Sequence, residues 1–158
     1  MAIDVPTKIY VERLAKQARE AMRPLALLST TVKNRALIAM AERLEADTDS
    51  ILEANRDDVE AVGKMLEGES NKDRVKAGVE RTRLTTEEIA SMADGLRAIA
   101  DLPDPVGEVT QMWQQLDGMQ VSRIRVPIGV IGIISELGPT VTANAAAMCL
   151  KSGNVCIV

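Results

Sequence analysis

The 158-residue sequence has no histidine and no phenylalanine, and it holds one tryptophan, one tyrosine and two cysteines. Without imidazole, and with Cys149 and Cys156 not forming a CxxC pair, a zinc site or a Ser-His-Asp triad has no material here. So few aromatics leave Ala, Leu, Ile, Val and Met to fill a core, which suits helices packed closely through small side chains. Basic charge is not in excess: 19 Lys and Arg against 23 Asp and Glu give a net charge of -4 and a pI near 5.0. That balance offers no clustered basic face for nucleic acid. The first residues carry no basic stretch followed by an apolar run, and no apolar segment is long enough to span a membrane. With 46% hydrophobic and 27% charged residues, the chain reads as a soluble, cytoplasmic globular protein with neither nucleic acid nor membrane as partner.

What is present begins as helix. From Thr7 to about Ala100, apolar residues recur at helical spacing: Val11, Leu14, Ala15 and Ala18 first, then Leu37, Met40, Ala41 and Leu44 after the cap candidates Ser29, Thr30 and Thr31. The segment from Ile51 to Val62 continues in this style, and Gly63, Gly68 and the polar run from Glu69 to Asp73 mark a break. A further helix starts at Thr85, which with Glu88 has capping-box spacing ahead of the stripe Ile89, Met92, Ala93, Leu96 and Ile99. Pro103 and Pro105 end it.

The pattern then changes to strand. Val109 to Leu116 and Met119 to Val126 flank Asp117-Gly118, the dipeptide favoured by a two-residue type I′ turn, and predict a polar antiparallel hairpin. After Pro127, the run from Ile128 to Ile134 is apolar almost without alternation, as in a parallel strand covered on both faces. A turn over Glu136 to Pro139, a small-residue helix from about Thr140 to Ser152, a Gly153-Asn154 stop and a strand from Val155 to Val158 complete one βαβ unit. Two parallel strands alone leave edges and faces open, so the sequence is expected to be part of a longer enzyme.

In open parallel sheets, ligands sit beyond the carboxyl ends of the strands, where helix N-termini offer free N–H groups to anions. Here that place is Ser135, Glu136, Leu137, Gly138, Pro139 and Thr140. Gly129 and Gly132 lie within the strand, with no GxGxxG turn into the following helix, so close backbone packing explains them better than phosphate contact.

The block from Val126 to Ile134, followed by Glu136, Pro139, Val141-Thr142 and Cys149 to Asn154, closely resembles the opening of the cofactor domain in gamma-glutamyl phosphate reductases. Lys33 to Leu37, Ala54-Asn55, Asp57 to Val59 and Leu102 to Gly107 resemble further blocks of that family in the same order. The resemblance implies an α/β, aldehyde-dehydrogenase-like fold. Its parts would be a helical portion (1–107), a hairpin oligomerisation arm (108–126) and the truncated start of an NADP-binding βαβ unit (127–158). It implies reduction of gamma-glutamyl phosphate to glutamate 5-semialdehyde and phosphate in proline biosynthesis, with NADPH as cofactor and a cysteine thioester formed on a part beyond Val158. The residues that read the ribose 2′ position are expected there too. A homo-oligomer formed through the arm and a functional coupling to glutamate 5-kinase are implied as well.

On this reading Ile134, Ser135, Glu136, Leu137 and Gly138 contact the cofactor, and Gly138, Pro139 and Thr140 contact the substrate. No catalytic and no metal-binding residue falls within the sequence. Cys149, late in an alanine-rich helix, and Cys156, in an apolar strand, are read as inert packing. Lys33 and Arg35, near a helix start, are read as structural, and the charges of the leading helices as a solvated face. The pattern departs from the family at one place: an Arg is expected between Glu136 and Pro139, where Leu137-Gly138 stands. An Arg there would bind a phosphate or carboxylate bidentately. Its absence favours one alternative, an aldehyde dehydrogenase of another substrate class; a non-catalytic assembly relic of the fold is the other, and a cysteine-bearing part after Val158 would exclude it.

Overall fold

The computed structural model describes residues 7–67, 71–135 and 138–158. Five helices come first: α1 (Thr7–Ala26), α2 (Thr30–Ala46), α3 (Thr48–Met65), α4 (Lys72–Thr82) and α5 (Thr86–Asp101). A hairpin of β1 (Val109–Gln114) and β2 (Gln120–Ile124) follows, then β3 (Val130–Gly132), α6 (Pro139–Lys151) and β4 (Val155–Ile157). The capping signals act as the sequence suggests. Ser29 caps α2 by accepting from the Val32 N–H, and Thr85 and Glu88 close a reciprocal capping box on α5. Gly63 does not break α3 but lies inside it, and Lys72-Asp73 open α4, whose N-cap Asn71 accepts from the N–H groups of Asp73 and Arg74.

The core forms where α2, α5 and α6 meet. Leu37 and Ala41 from α2, Ala93, Leu96, Ile99 and Ala100 from α5, and Ala147 from α6 are buried together, with Leu44 and Leu150 packed against them. The expected stripe of α5 is therefore its buried face. Close approach is possible because the contact residues are small. A Cβ built on Gly95 would stand 2.6 Å from Asn144 Oδ1 of α6, and that oxygen is buried without a hydrogen-bond partner.

Buried charge knits the same elements. Lys33 (1% exposed) pairs with Asp104 at 2.5 Å, and Asp104 also accepts from the Thr30 hydroxyl and the Val106 N–H. This ties the start of α2 to the segment leading into the hairpin. Lys151, also buried, donates to Asn34 Oδ1 and to the Ala100 carbonyl, joining α6 to α2 and α5. Glu45 is more than part of a solvated face: its carboxylate takes two hydrogen bonds from Arg97, which link α2 to α5.

The hairpin differs from expectation in its turn. Its last strand pair is Gln114↔Gln120, the Gly118 N–H donates to the Gln115 carbonyl, and the Gln115 N–H to the Met119 carbonyl. Only Gly118 has a positive φ, +87°. A type I′ turn needs positive φ at both central residues, whereas this arrangement is a tight turn closed by one left-handed glycine, the three-residue loop with a G1 bulge.

β3 and β4 pair in parallel through Val130↔Val155, Ile131↔Cys156 and Gly132↔Ile157, with α6 as the crossover. α6 ends in a Schellman motif: the Gly153 N–H bonds the Leu150 carbonyl and the Asn154 N–H bonds the Cys149 carbonyl, with Gly153 at φ +73°. The Asn154 side chain then accepts from the Gly129 N–H at 2.7 Å, fixing the start of β3 beside β4. Gly129 is packed as expected, with φ +124° and Met22 against it, whereas the space beside Gly132 is open. β3 is shorter than the apolar run. Ile128 and Ile134 are exposed and Ile131 is half-buried, so within this chain the strand is not covered on both faces. An apolar run records what a strand is able to bury, and here α1 and α6 supply packing to the sheet mainly through β4.

Candidate functional site

The carboxyl end of β3 leads through Ile133 to Ser135 toward the start of α6. Gly138 is the N-cap of α6, with φ -40° and ψ 175°, and supplies no capping side chain; Pro139 follows in the first turn. Proline fits there because its missing N–H would have had no helical partner. The Val141 N–H bonds back to the Gly138 carbonyl at 3.2 Å. Among the described residues no side-chain oxygen caps this end of α6, where the helix dipole favours an acceptor. A Cβ at Gly138 would meet nothing within 4 Å, so the backbone is openly accessible.

Ser135, Gly138 and Pro139 line a cleft of about 540 Å³, a volume typical of small-molecule sites. Thr142, on the same helical face as Gly138, belongs to this wall. The opposite wall comes from the helical part of the chain: Asn55 and Asp58 on α3, Arg81 and Thr82 on α4, and Leu84 just after it. Asn55 builds this wall. Its Nδ2 donates to the Thr82 carbonyl and its Oδ1 accepts from the Leu84 N–H, both at 2.8 Å, pinning the α4 to α5 connection onto α3.

Of the residues expected at the site, Ser135, Gly138 and Pro139 thus share one cleft. Thr140 is half-buried and Ile134 fully exposed, and neither lines it. Glu136 and Leu137 lie outside the described residues. Sequence reasoning missed Thr142, Asp58 and Arg81. The i, i+4 relation to Gly138 was a signal for Thr142, but no local pattern marks the other two.

Both cysteines are free thiols, and Cys149 is buried. Burial, together with the charge and hydrogen bonding of the neighbouring Cys156, pushes the Cys149 thiol up, away from the thiolate that nucleophilic chemistry needs. Among the described residues no group of three or more His, Cys, Asp or Glu side chains is placed to hold a metal ion. None of their helices is long and apolar enough to cross a membrane.

A hairpin, a set of helices and a parallel βαβ unit whose β3 leads toward α6 make an α/β fold, aldehyde-dehydrogenase-like by its likeness to solved structures. The structure superposes on the crystal structure of gamma-glutamyl phosphate reductase from Thermotoga maritima with a TM-score of 0.78 and 40% identity, over 90% of this chain and 33% of that one. In sequence it is 49% identical over 149 residues to the gamma-glutamyl phosphate reductase of Caldanaerobacter subterraneus subsp. tengcongensis, covering 94% of this chain and 34% of that protein. To the enzyme of the same name from Moorella thermoacetica it is 48% identical over 158 residues, covering 100% of this chain and 35% of the relative. No protein-family model matches the chain. The chain is a relative of gamma-glutamyl phosphate reductases along its whole length, and spans about a third of theirs.

Proposed function

We propose that the protein carrying this chain reduces gamma-glutamyl phosphate to glutamate 5-semialdehyde and phosphate with NADPH, as a step of proline biosynthesis. One observation carries the reading: Ser135, Gly138 and Pro139, to which the family resemblance gives cofactor or substrate contacts, line a cleft walled by the start of α6 on one side and by α3 and α4 on the other. The open backbone at Gly138 fits the approach of a flat nicotinamide ring, and the α6 N-terminus, to which Gly138 brings no capping side chain, fits an oxygen on which negative charge builds. When bound, NADPH supplies the hydride. The share of this chain is to orient: Ser135, Gly138 and Pro139 hold the reacting end beside the helix dipole, and the α3 to α4 wall holds the remainder of the substrate. The nucleophile is a cysteine outside these residues, which forms a thioester as phosphate leaves. Cys149 is not suited to that role, because its thiol is buried and held protonated.

The hairpin serves on this reading as an oligomer arm, since Met112, Trp113 and Ile124 stand exposed on it. Coupling to glutamate 5-kinase and a cytoplasmic setting follow from the pathway. Gly138 in place of an arginine favours a second reading, an aldehyde dehydrogenase of another substrate class, because the loop then brings no cation for a phosphate. NADP-dependent oxidation of glutamate 5-semialdehyde by the full-length protein, with and without inorganic phosphate, separates the two. Turnover that requires phosphate supports the reductase. Turnover without it shows a hydrolytic dehydrogenase, and no turnover at all removes the reductase and leaves a dehydrogenase of another substrate class.

A further inference from the structure

The sequence holds two Asp-Gly pairs, Asp94-Gly95 and Asp117-Gly118. At such a pair the side-chain carboxyl is most open to attack by the following main-chain nitrogen, because glycine carries no Cβ to obstruct the approach. By sequence the two are equal, and the structure separates them. Gly95 lies inside α5, where its N–H belongs to the helical ladder and the Cβ bonds tilt toward the helix N-terminus, so the Asp94 side chain leans away from the next peptide nitrogen. The Asp94 carboxylate is held by Arg97 at 3.1 Å, and Gly95 is packed against Asn144. Reaction there requires α5 to open, although α5 supplies Ala93, Leu96, Ile99 and Ala100 to the core.

Asp117-Gly118 occupies the exposed tip of the β1–β2 hairpin. Gly118 has φ +87°, and the nearest atom to a Cβ built on it is Gln114 Nε2 at 3.9 Å, so its flank is open. The Asp117 carboxylate accepts from the Met119 N–H at 3.0 Å, two residues on, which folds the side chain over the Gly118 peptide. The Gly118 N–H donates to the Gln115 carbonyl at 3.0 Å. That bond has to be released before the nitrogen is able to react, and opening costs little at an exposed turn tip.

We infer that Asp117 is a site of spontaneous isoaspartate formation, the one of the two Asp-Gly pairs that the fold leaves reactive. The Gly118 nitrogen attacks Cγ of the protonated Asp117 carboxyl. An N–Cγ bond forms, a C–O bond breaks, and the hydroxyl leaves with the amide proton as water. The resulting five-membered succinimide takes water back at either carbonyl. Opening at Cγ restores aspartate, whereas opening at the main-chain carbonyl leaves the chain running through Cβ and Cγ, an isoaspartate with a free α-carboxylate. One water leaves and one returns, so no co-reactant is needed. The product adds one atom to the main chain of the turn, which displaces the Gln114↔Gln120 pair that closes the hairpin. The free α-carboxylate is the group that an isoaspartyl methyltransferase esterifies, so a repair enzyme of that class is the partner this tip fits.

The test is to age the full-length protein in warm buffer near neutral pH and to withdraw samples over weeks. Isoaspartate is measured by methyl transfer from labelled S-adenosylmethionine with an isoaspartyl methyltransferase, and located by peptide mapping with mass spectrometry. It is expected to build up at Asp117 and to exceed that at Asp94 by roughly tenfold or more, since core helices open far more rarely than loop tips. In guanidinium chloride the two sites should converge to within a few-fold, because both then sit in flexible chain beside the same neighbour. D117E, whose longer side chain would have to close a six-membered ring, should abolish the signal from the hairpin tip. Native protein that forms no isoaspartate at Asp117 overturns the inference. Equal formation at Asp94 and Asp117 in the native state does so too, as does a tip signal that survives in D117E. Neither result depends on the reaction the enzyme catalyses.

Discussion

Replacing Lys33 by methionine tests whether the buried pair between α2 and the segment before the hairpin holds the fold. Lys33 is 1% exposed and its partner carboxylate 11% exposed, so removing the ammonium leaves Asp104 charged and largely out of water. Breaking a buried pair in this way costs about 3–5 kcal/mol. Asp104 keeps the Thr30 hydroxyl and the Val106 N–H as donors, so the low end applies, ~3 kcal/mol near neutral pH by the same rule. The cost should depend on pH. Burial raises the Asp104 pKa, but the hydrogen bonds from Lys33, Val106 and Thr30 and the charge of Lys33 outweigh it, so the carboxyl is held below its usual range. A depressed folded-state pKa contributes stability that is present above the unfolded value of roughly 3.9 and is lost as pH falls through the folded value. In K33M the opposing contribution of Lys33 is gone, so Asp104 protonates earlier and acid relieves part of the penalty. Urea unfolding of wild type, K33M, D104N and the double variant from pH 7 down to pH 3 should therefore show a gap between wild type and K33M that narrows on acidification. D104N should recover much of the K33M loss. A K33M penalty below ~0.5 kcal/mol, the scale of an ordinary surface substitution, or one that does not change with pH would refute the reasoning.

The arginine that the family places between Glu136 and Pro139 has room at Gly138, whose φ is negative and whose Cβ position is open. G138R should change stability by less than ~0.5 kcal/mol and lower the KM for phosphate in the reverse reaction about tenfold, in line with a charge-assisted hydrogen bond of roughly 1.5–3 kcal/mol; an unchanged KM would show that the loop does not meet phosphate. G95A should cost ~1–2 kcal/mol despite the better helix propensity of alanine, because its Cβ would stand 2.6 Å from Asn144 Oδ1. Adding N144A should restore most of that loss in a thermal melt, and a neutral G95A would mean that α5 and α6 are not in close contact there. Cys149, buried with its pKa raised, should resist iodoacetamide in the native protein at pH 7.5 and react on unfolding, which peptide mapping by mass spectrometry reads directly.

What was legible in the sequence is what residues a few positions apart decide among themselves. Thr85 with Glu88, the stripe from Ile89 to Ile99, and Gly153 after α6 each carry both partners of their interaction within a turn or two, and the structure forms them as the pattern requires. Asp117-Gly118 shows where local reading becomes ambiguous. The dipeptide suits either a type I′ turn or a type I turn closed by a left-handed glycine, and the strand register that decides between them is set by Gln114↔Gln120 rather than by the turn itself. α4 shows in the sequence only as part of a broken helical stretch, because none of its residues is buried and so no apolar stripe marks it. Charge is the least legible property of all. Lys33, Asp58 and Arg81 look alike in the sequence as charged positions on helices, yet one is buried against Asp104 and two face a cleft with no partner. Ser135, Gly138 and Pro139 are marked in the sequence because strand ends and helix starts are general places for ligands. The facing wall of the cleft requires α3 and α4 opposite α6, and that placement depends on contacts such as Asn55 with Thr82 and Leu84 whose sequence separation leaves no periodic trace. A site assembled from such contacts belongs to the packing of this chain more than the loop does: strand ends and helix starts recur on many folds, whereas the wall of Asn55, Asp58, Arg81 and Thr82 exists only where α3 and α4 meet opposite α6.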